Sequence, residues 1–82
     1  MFGRRAKSLV GLDLGSSAVK AIELKPVAKG YKVTAFGSEP IPPDSIVDGA
    51  IIDGAAVAAA VRRLFESRNI KTKEVAASLS GN

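Results

Sequence analysis

Leu9-Val10-Gly11-Leu12-Asp13-Leu14-Gly15-Ser16-Ser17-Ala18-Val19-Lys20 carries the strongest structural signal in the chain. Leu9, Val10, Leu12 and Leu14 form an apolar run broken only by Gly11 and Asp13, which predicts a strand buried on both faces. Gly15-Ser16-Ser17 punctuates it as a tight turn. Beyond the turn, Ser17–Lys25 alternates, with Lys20, Ile22 and Leu24 on one face and Val19, Ala21 and Glu23 on the other. Pro26–Gly30 reads as a connection and Tyr31–Phe36 as a further strand. Loops this short force antiparallel neighbours, so the first part of the chain is expected to be a three-strand meander. The prolines of Gly37–Pro43 are expected to end it, because proline cannot donate to a sheet ladder.

The turn and its flanks also carry the only informative chemistry. Successive backbone N–H groups in a glycine-serine bend can converge on an anion. Gly15 lets the chain approach a phosphate closely, and Ser16 and Ser17 add hydroxyl donors. Asp13 is a lone carboxylate in an apolar strand, costly unless something compensates it. Hydrated Mg²⁺ suits that role, since it keeps several waters and needs few protein carboxylates. Lys20, just past the bend, supplies a point charge for phosphate oxygens. The same residues also fit an ordinary hairpin, with Asp13 accepting from turn amides and Lys20 solvated. Neither a Walker A spacing nor a Rossmann fingerprint is present, because a strand and not a helix follows the glycines.

Further along, Asp44–Ile52 has no clear period, since Asp48 and Gly49 interrupt Ile46, Val47, Ile51 and Ile52; a short extended loop packed on the core is expected. Asp53 suits a helix N-cap, and Val57, Ala60, Val61, Leu64, Phe65 and Arg68 recur at helical spacing, with Arg62, Arg63 and Glu66 outside. Asn69 suits a left-handed stop. Glu74–Leu79 reads as a last strand with Val75, Ala77 and Leu79 on one face. A helix and a lone final strand leave an unpaired edge, so a fragment of a longer protein is expected.

Composition narrows the chemistry. The 82 residues include neither cysteine nor histidine, which removes disulfide scaffolds, thiolate nucleophiles, Cys/His zinc sites and Ser-His-Asp triads. The absence of disulfides is compatible with a reducing compartment. The longest apolar run, Ala55–Val61, is far short of the roughly 20 residues of a membrane-spanning helix. No secretory signal is expected, since Gly11 and Asp13 follow the cations where an apolar region should be. Net charge is +4, but Arg4, Arg5 and Lys7 supply much of it; without them nine cations face eight anions. The body is therefore no basic nucleic-acid footprint, and no nucleic-acid partner is expected. The arm, with Phe2, suits a solvated tail or a weak membrane-surface contact.

Asp13-Leu14-Gly15-Ser16-Ser17, followed by a lysine seven residues after the aspartate, resembles the first phosphate motif of the actin, sugar-kinase and seventy-kilodalton chaperone superfamily. More narrowly, Leu9–Lys25, the Met-Phe start with its basic arm, Ile51-Ile52-Asp53 before an alanine-rich helix, and the closing Val-Ala-Ala-Ser-Leu-Ser-Gly-Asn resemble the PilM family of actin-like proteins in bacterial type IV pilus assembly. Ala18-Val19-Lys20 is also similar to the cell-division relative FtsA.

The resemblance implies an α/β fold, part of an actin-like (ribonuclease H-like) architecture. Residues 1–7 would be the basic arm and 8–43 the first part of the core subdomain with its phosphate loop. Residues 44–82 would begin the inserted subdomain of the FtsA-like branch, helix then strand. It further implies ATP and Mg²⁺ as ligands: Gly15, Ser16 and Ser17 would donate to the phosphates, Lys20 would supply charge, and Asp13 would reach Mg²⁺ through water. The rest of such a site would lie beyond Asn82.

The implied role is a cytoplasmic scaffold, peripheral at the inner membrane, that holds the N-terminal peptide of a PilN-like inner-membrane protein alongside other pilus assembly proteins. Ile46–Ile52 is the segment where that peptide is expected, and any ATP hydrolysis would be slow. The alternatives are an FtsA-like cell-division protein or a small-molecule kinase of the same superfamily, which would need a carboxylate base outside this sequence.

Overall fold

A computed structural model describes residues 7–79. The strands are β1 (Leu9–Leu14), β2 (Ala18–Val27), β3 (Gly30–Pro40), β4 (Ile46–Val47) and β5 (Ala50–Ile51); a helix α1 (Gly54–Ser67) and a last strand β6 (Val75–Leu79) follow. β1, β2 and β3 form the expected antiparallel meander, and β6 pairs in parallel with β1, giving a four-stranded sheet in the order β3-β2-β1-β6. The mixed α/β class and the sequence of meander, helix and strand are thus as expected. The basic residues Arg4 and Arg5, Phe2, and the terminal Ser80-Gly81-Asn82 lie outside the described residues.

The helix covers one face of the sheet, packing on β2 and β3. Val10, Leu12 and Leu14 of β1 and Val19 and Ala21 of β2 meet Val57, Ala60 and Leu64 of α1 in a single core, joined by Ile41, Ile46 and Ile70. This arrangement corrects the expectation for β1. Its alternate residues Leu9, Gly11 and Asp13 are only partly covered, because among the described residues no element packs on the other side of the sheet. That open face carries Leu9, Ile22, Val33 and Phe36, the last 71% exposed.

Two further expectations fail at prolines. β2 continues through Pro26, and β3 runs on through Gly37 to Pro40. β1 pairs with β2 only as far as Leu24, so Pro26 lies where β2 has just one neighbour. β3 is an outer strand, so its proline also falls where a missing N–H breaks no central ladder.

The expected loop at Asp44–Ile52 is in fact a small hairpin. Asp48 and Gly49 form its two-residue turn, both with positive φ (51° and 75°), the type I′ geometry that matches strand twist. Ile46 anchors the hairpin in the core. Buried Ser45 fastens it: its carbonyl accepts from the N–H groups of Ile52 (2.8 Å) and Asp53 (3.1 Å), and its hydroxyl donates to the Pro42 carbonyl (2.8 Å).

The helix ends where the sequence says it should. Asp53 caps the start, its Oδ1 accepting from the Ala56 N–H at 3.0 Å. At the other end Asn69 takes a left-handed conformation (φ 56°). The Ile70 N–H donates to the Phe65 carbonyl and the Asn69 N–H to the Glu66 carbonyl, the two bonds of a Schellman motif. Ile70 is buried beneath it.

Residues on both sides of the expected boundary at 43 and 44 share one core and one sheet among the described residues. α1 sits on the meander, and β6 is hydrogen-bonded into the same sheet. The apolar stripe of α1 (Val57, Ala60, Leu64) lies in the core that residues of the meander also line.

Candidate functional site

Strand alternation places Asp13 on the open face of β1, half-buried, opposite Lys20 of β2. Lys20 is in turn the register partner of Ser38 in β3, and Asp13 the partner of Ser78 in β6. Ser38, Lys20, Asp13 and Ser78 therefore form one row across the four strands. All of them line a shallow groove of about 1060 Å³. The adjacent row on the same face, Phe36, Ile22, Gly11 and Ala76, carries no polar side chain. A Cβ added at Gly11 would sit in van der Waals contact with Ile22 Cγ2, at 3.4 Å. Polar groups are thus concentrated where β1 and β6, the parallel pair, end side by side, and open α/β sheets bind ligands outside the carboxyl ends of their strands.

The turn itself lies at the same end. The Gly15 N–H donates to the Ala18 carbonyl at 3.0 Å, closing the hairpin. Gly15 was expected to offer that donor to phosphate, and here the turn uses it. Ser16 and Ser17 remain exposed at the tip and line a second hollow of about 460 Å³ with Ile41, Pro43, Asp44, Ile46, Val47 and Asp48. The Ser17 carbonyl accepts from the Ile41 N–H at 3.1 Å, which ties the turn to the chain leaving β3. The structure therefore makes Asp13 and Lys20 cross-strand partners in one groove and leaves Ser16 and Ser17 at the adjoining turn, where they line the other hollow. Ser38 and Ser78 escaped the sequence reading. Ser38 fell in a segment expected to end the meander, and Ser78 became a neighbour of Asp13 only through the β1–β6 register.

The donor set suits a hydrated cation held with phosphate better than a protein-chelated metal. Among the described residues no group of three or more Asp, Glu, His or Cys residues could enclose an ion. Asp13 supplies one carboxylate, and Mg²⁺ commonly takes one or two, completing its shell with water and phosphate oxygens. Lys20 opposite it carries the charge that a phosphate would require.

A second carboxylate belongs to the scaffold. Glu23 is buried on the helix-side face, where its Oε2 accepts from the Thr72 hydroxyl (2.7 Å) and its Oε1 from the Thr34 hydroxyl (2.8 Å). These bonds, Thr72 first, hold its carboxyl below the usual glutamate range; Lys25 adds a smaller effect and burial opposes. Thr34 is the extra residue at the bulge between the Glu23–Ala35 and Leu24–Val33 pairs. Glu23 thus joins β2, the bulge of β3 and the segment leading to β6.

The family described as type IV pilus assembly protein PilM matches residues 11–82. Among solved structures, the chain is similar to one in a "PilM-PilN type IV pilus biogenesis complex", with a TM-score of 0.75 and 26% sequence identity. The match covers 90% of this chain and 21% of that one, so the sequence spans about a fifth of its relative's length.

Proposed function

The chain belongs to the PilM family of type IV pilus assembly proteins, and from this we propose that it forms one wall of an ATP site in a cytoplasmic scaffold at the inner membrane. The observation that carries the reading is the pairing of Asp13 with Lys20 at the carboxyl end of the parallel strands β1 and β6. In this role the Lys20 ammonium neutralises phosphate oxygens. The hydroxyls of Ser16 and Ser17 would donate to the same oxygens from the adjoining turn, and the Asp13 carboxylate would accept from the water shell of Mg²⁺. Bound Mg-ATP supplies a multiply charged tail that these residues hold against the rest of the protein. Its chief effect is conformational: occupancy biases the arrangement in which partners dock.

The partner we propose is the N-terminal peptide of a PilN-like inner-membrane protein, by analogy with the relative's complex with PilN. The β4–β5 hairpin supports this placement, because it offers Val47, Ile51 and Ile52 to solvent while Ile46 anchors it beneath. Isothermal titration of the intact protein with Mg-ATP tests the nucleotide half. Binding that Lys20→Ala and Asp13→Ala both weaken supports it, and unchanged affinity leaves the motif an ordinary hairpin. Fluorescence anisotropy with a labelled PilN-type N-terminal peptide tests the other half, and absence of binding removes the partner.

A further inference from the structure

Ser78 interrupts an otherwise apolar strand, Val75-Ala76-Ala77-Ser78-Leu79, at the one position that the parallel register sets beside Asp13. Register partners in adjacent strands share a face, so the Ser78 hydroxyl and the Asp13 carboxylate open onto the same groove, as do Lys20 and Ser38. Packing gives no reason for a hydroxyl there: Ser78 is exposed, and the buried core lies on the opposite face.

We propose that Ser78 is a positioning residue of the phosphate site, its hydroxyl fixing the Asp13 carboxylate toward the water shell of a phosphate-bound divalent cation. The proposal rests on the nucleotide reading above and adds to it a residue carried by a different strand. A hydroxyl suits this position because it is donor and acceptor at once. It can donate to the carboxylate and still accept from a metal-bound water, which no residue of the neighbouring apolar row can do. Outer partners of this kind orient a metal-directed carboxylate, and losing one typically costs tenfold or more in metal affinity. Lys20 acts on the phosphates directly, so its contribution does not depend on the cation. Ser78 acts through Asp13, so its contribution appears only when the cation is present.

The experiment is calorimetric titration of the intact protein, as wild type, Ser78→Ala and Ser78→Thr. ATP is added once with Mg²⁺ and once with chelator, and Mg²⁺ is titrated separately at fixed ATP. We expect Ser78→Ala to bind Mg-ATP about tenfold more weakly, with half-saturation by Mg²⁺ moved up by a similar factor and metal-free ATP binding unchanged. Ser78→Thr, which keeps the hydroxyl, should stay within about twofold of wild type. Equal losses with and without Mg²⁺, or no loss, overturn the proposal. Should Ser78→Ala melt early, Ser78→Cys is titrated in its place, and Mg²⁺ dependence like that of wild type in that variant overturns it as well. A wild-type protein that takes up no Mg-ATP overturns the nucleotide reading itself, whereas normal wild-type binding with an indifferent Ser78→Ala removes Ser78 alone.

Discussion

Asp13 and Lys20 stand as register partners across β1 and β2, one row from the end of the sheet, with Ser78 continuing the row on the far side of Asp13. Under the proposed nucleotide reading the two charges have different roles, which should separate experimentally. Lys20→Ala should weaken ATP binding about tenfold or more whether or not Mg²⁺ is present, because a charge-assisted contact to phosphate is lost. Asp13→Asn should leave metal-free binding close to wild type and reduce the gain that Mg²⁺ brings. Calorimetry with and without chelator reads both, and identical profiles for the two variants would refute the division of labour.

Gly37 of β3 faces the C-terminal end of α1. A Cβ at this position would lie 2.5 Å from Arg68 Nε and 3.0 Å from Leu64 Cδ1. The arginine can swing away, but Leu64 is fully buried and has nowhere to go. Removing glycine flexibility from a strand normally favours folding by roughly 0.5–1 kcal/mol. Overpacking of this kind costs about 1–3 kcal/mol, so Gly37→Ala should destabilise on balance. Urea unfolding of the intact protein checks the sign, and a stabilised variant would show that the helix can yield.

The residues that were legible in the sequence are those whose signal is local. Period-two alternation and short loops revealed the meander, and Asp53 and Asn69 revealed both helix ends, because a cap acts on amides a few residues away. Asp48-Gly49 was just as local a signal. It read as an interruption only because strands as short as Ile46–Val47 and Ala50–Ile51 show no period. Pro40 misled because the ban on strand prolines lapses at an outer strand, and strand order is a property of the whole fold. The candidate site was half-visible for the same reason. Asp13 and Lys20 are joined by a tight turn, whereas Ser78 reaches Asp13 only after α1 has packed and β6 has returned alongside β1. The engagement of the Gly15 amide by Ala18 could not be seen either, since a glycine-serine bend can aim its donors inward or outward.

Loss of the N-cap should be felt in α1 and what it carries. The Asp53 carboxylate accepts from the Ala56 N–H, and the first turn contains no other acidic residue. Asp53→Ala should cost about 1 kcal/mol, and Asp53→Asn or Asp53→Ser only a few tenths, since either side chain can still accept the bond. Hydrogen exchange of the amides from Ala55 to Val57 offers a local readout. Unchanged protection in Asp53→Ala would mean that packing alone holds the first turn.

Glu23 makes stability depend on pH in a predictable direction. Its folded-state value is lowered, chiefly by the Thr72 and then the Thr34 hydroxyl, so the unfolded chain binds the proton more readily than the folded one. The stabilisation is therefore complete above the ordinary glutamate range and is lost as pH falls through the lowered folded-state value. Glu23→Gln keeps the shape but has no charge to strengthen the two bonds, and at neutral pH it should be less stable by about 1–3 kcal/mol. The gap between wild type and variant should narrow as the pH is lowered, because protonation brings wild-type Glu23 to the same neutral state. Thr72→Val should do likewise, since it removes the bond named first among the causes and leaves Thr34 in place. Denaturant midpoints for the intact protein across the acidic range decide the matter. A gap that stays constant with pH would mean that the threonines serve packing and the charge of Glu23 contributes nothing.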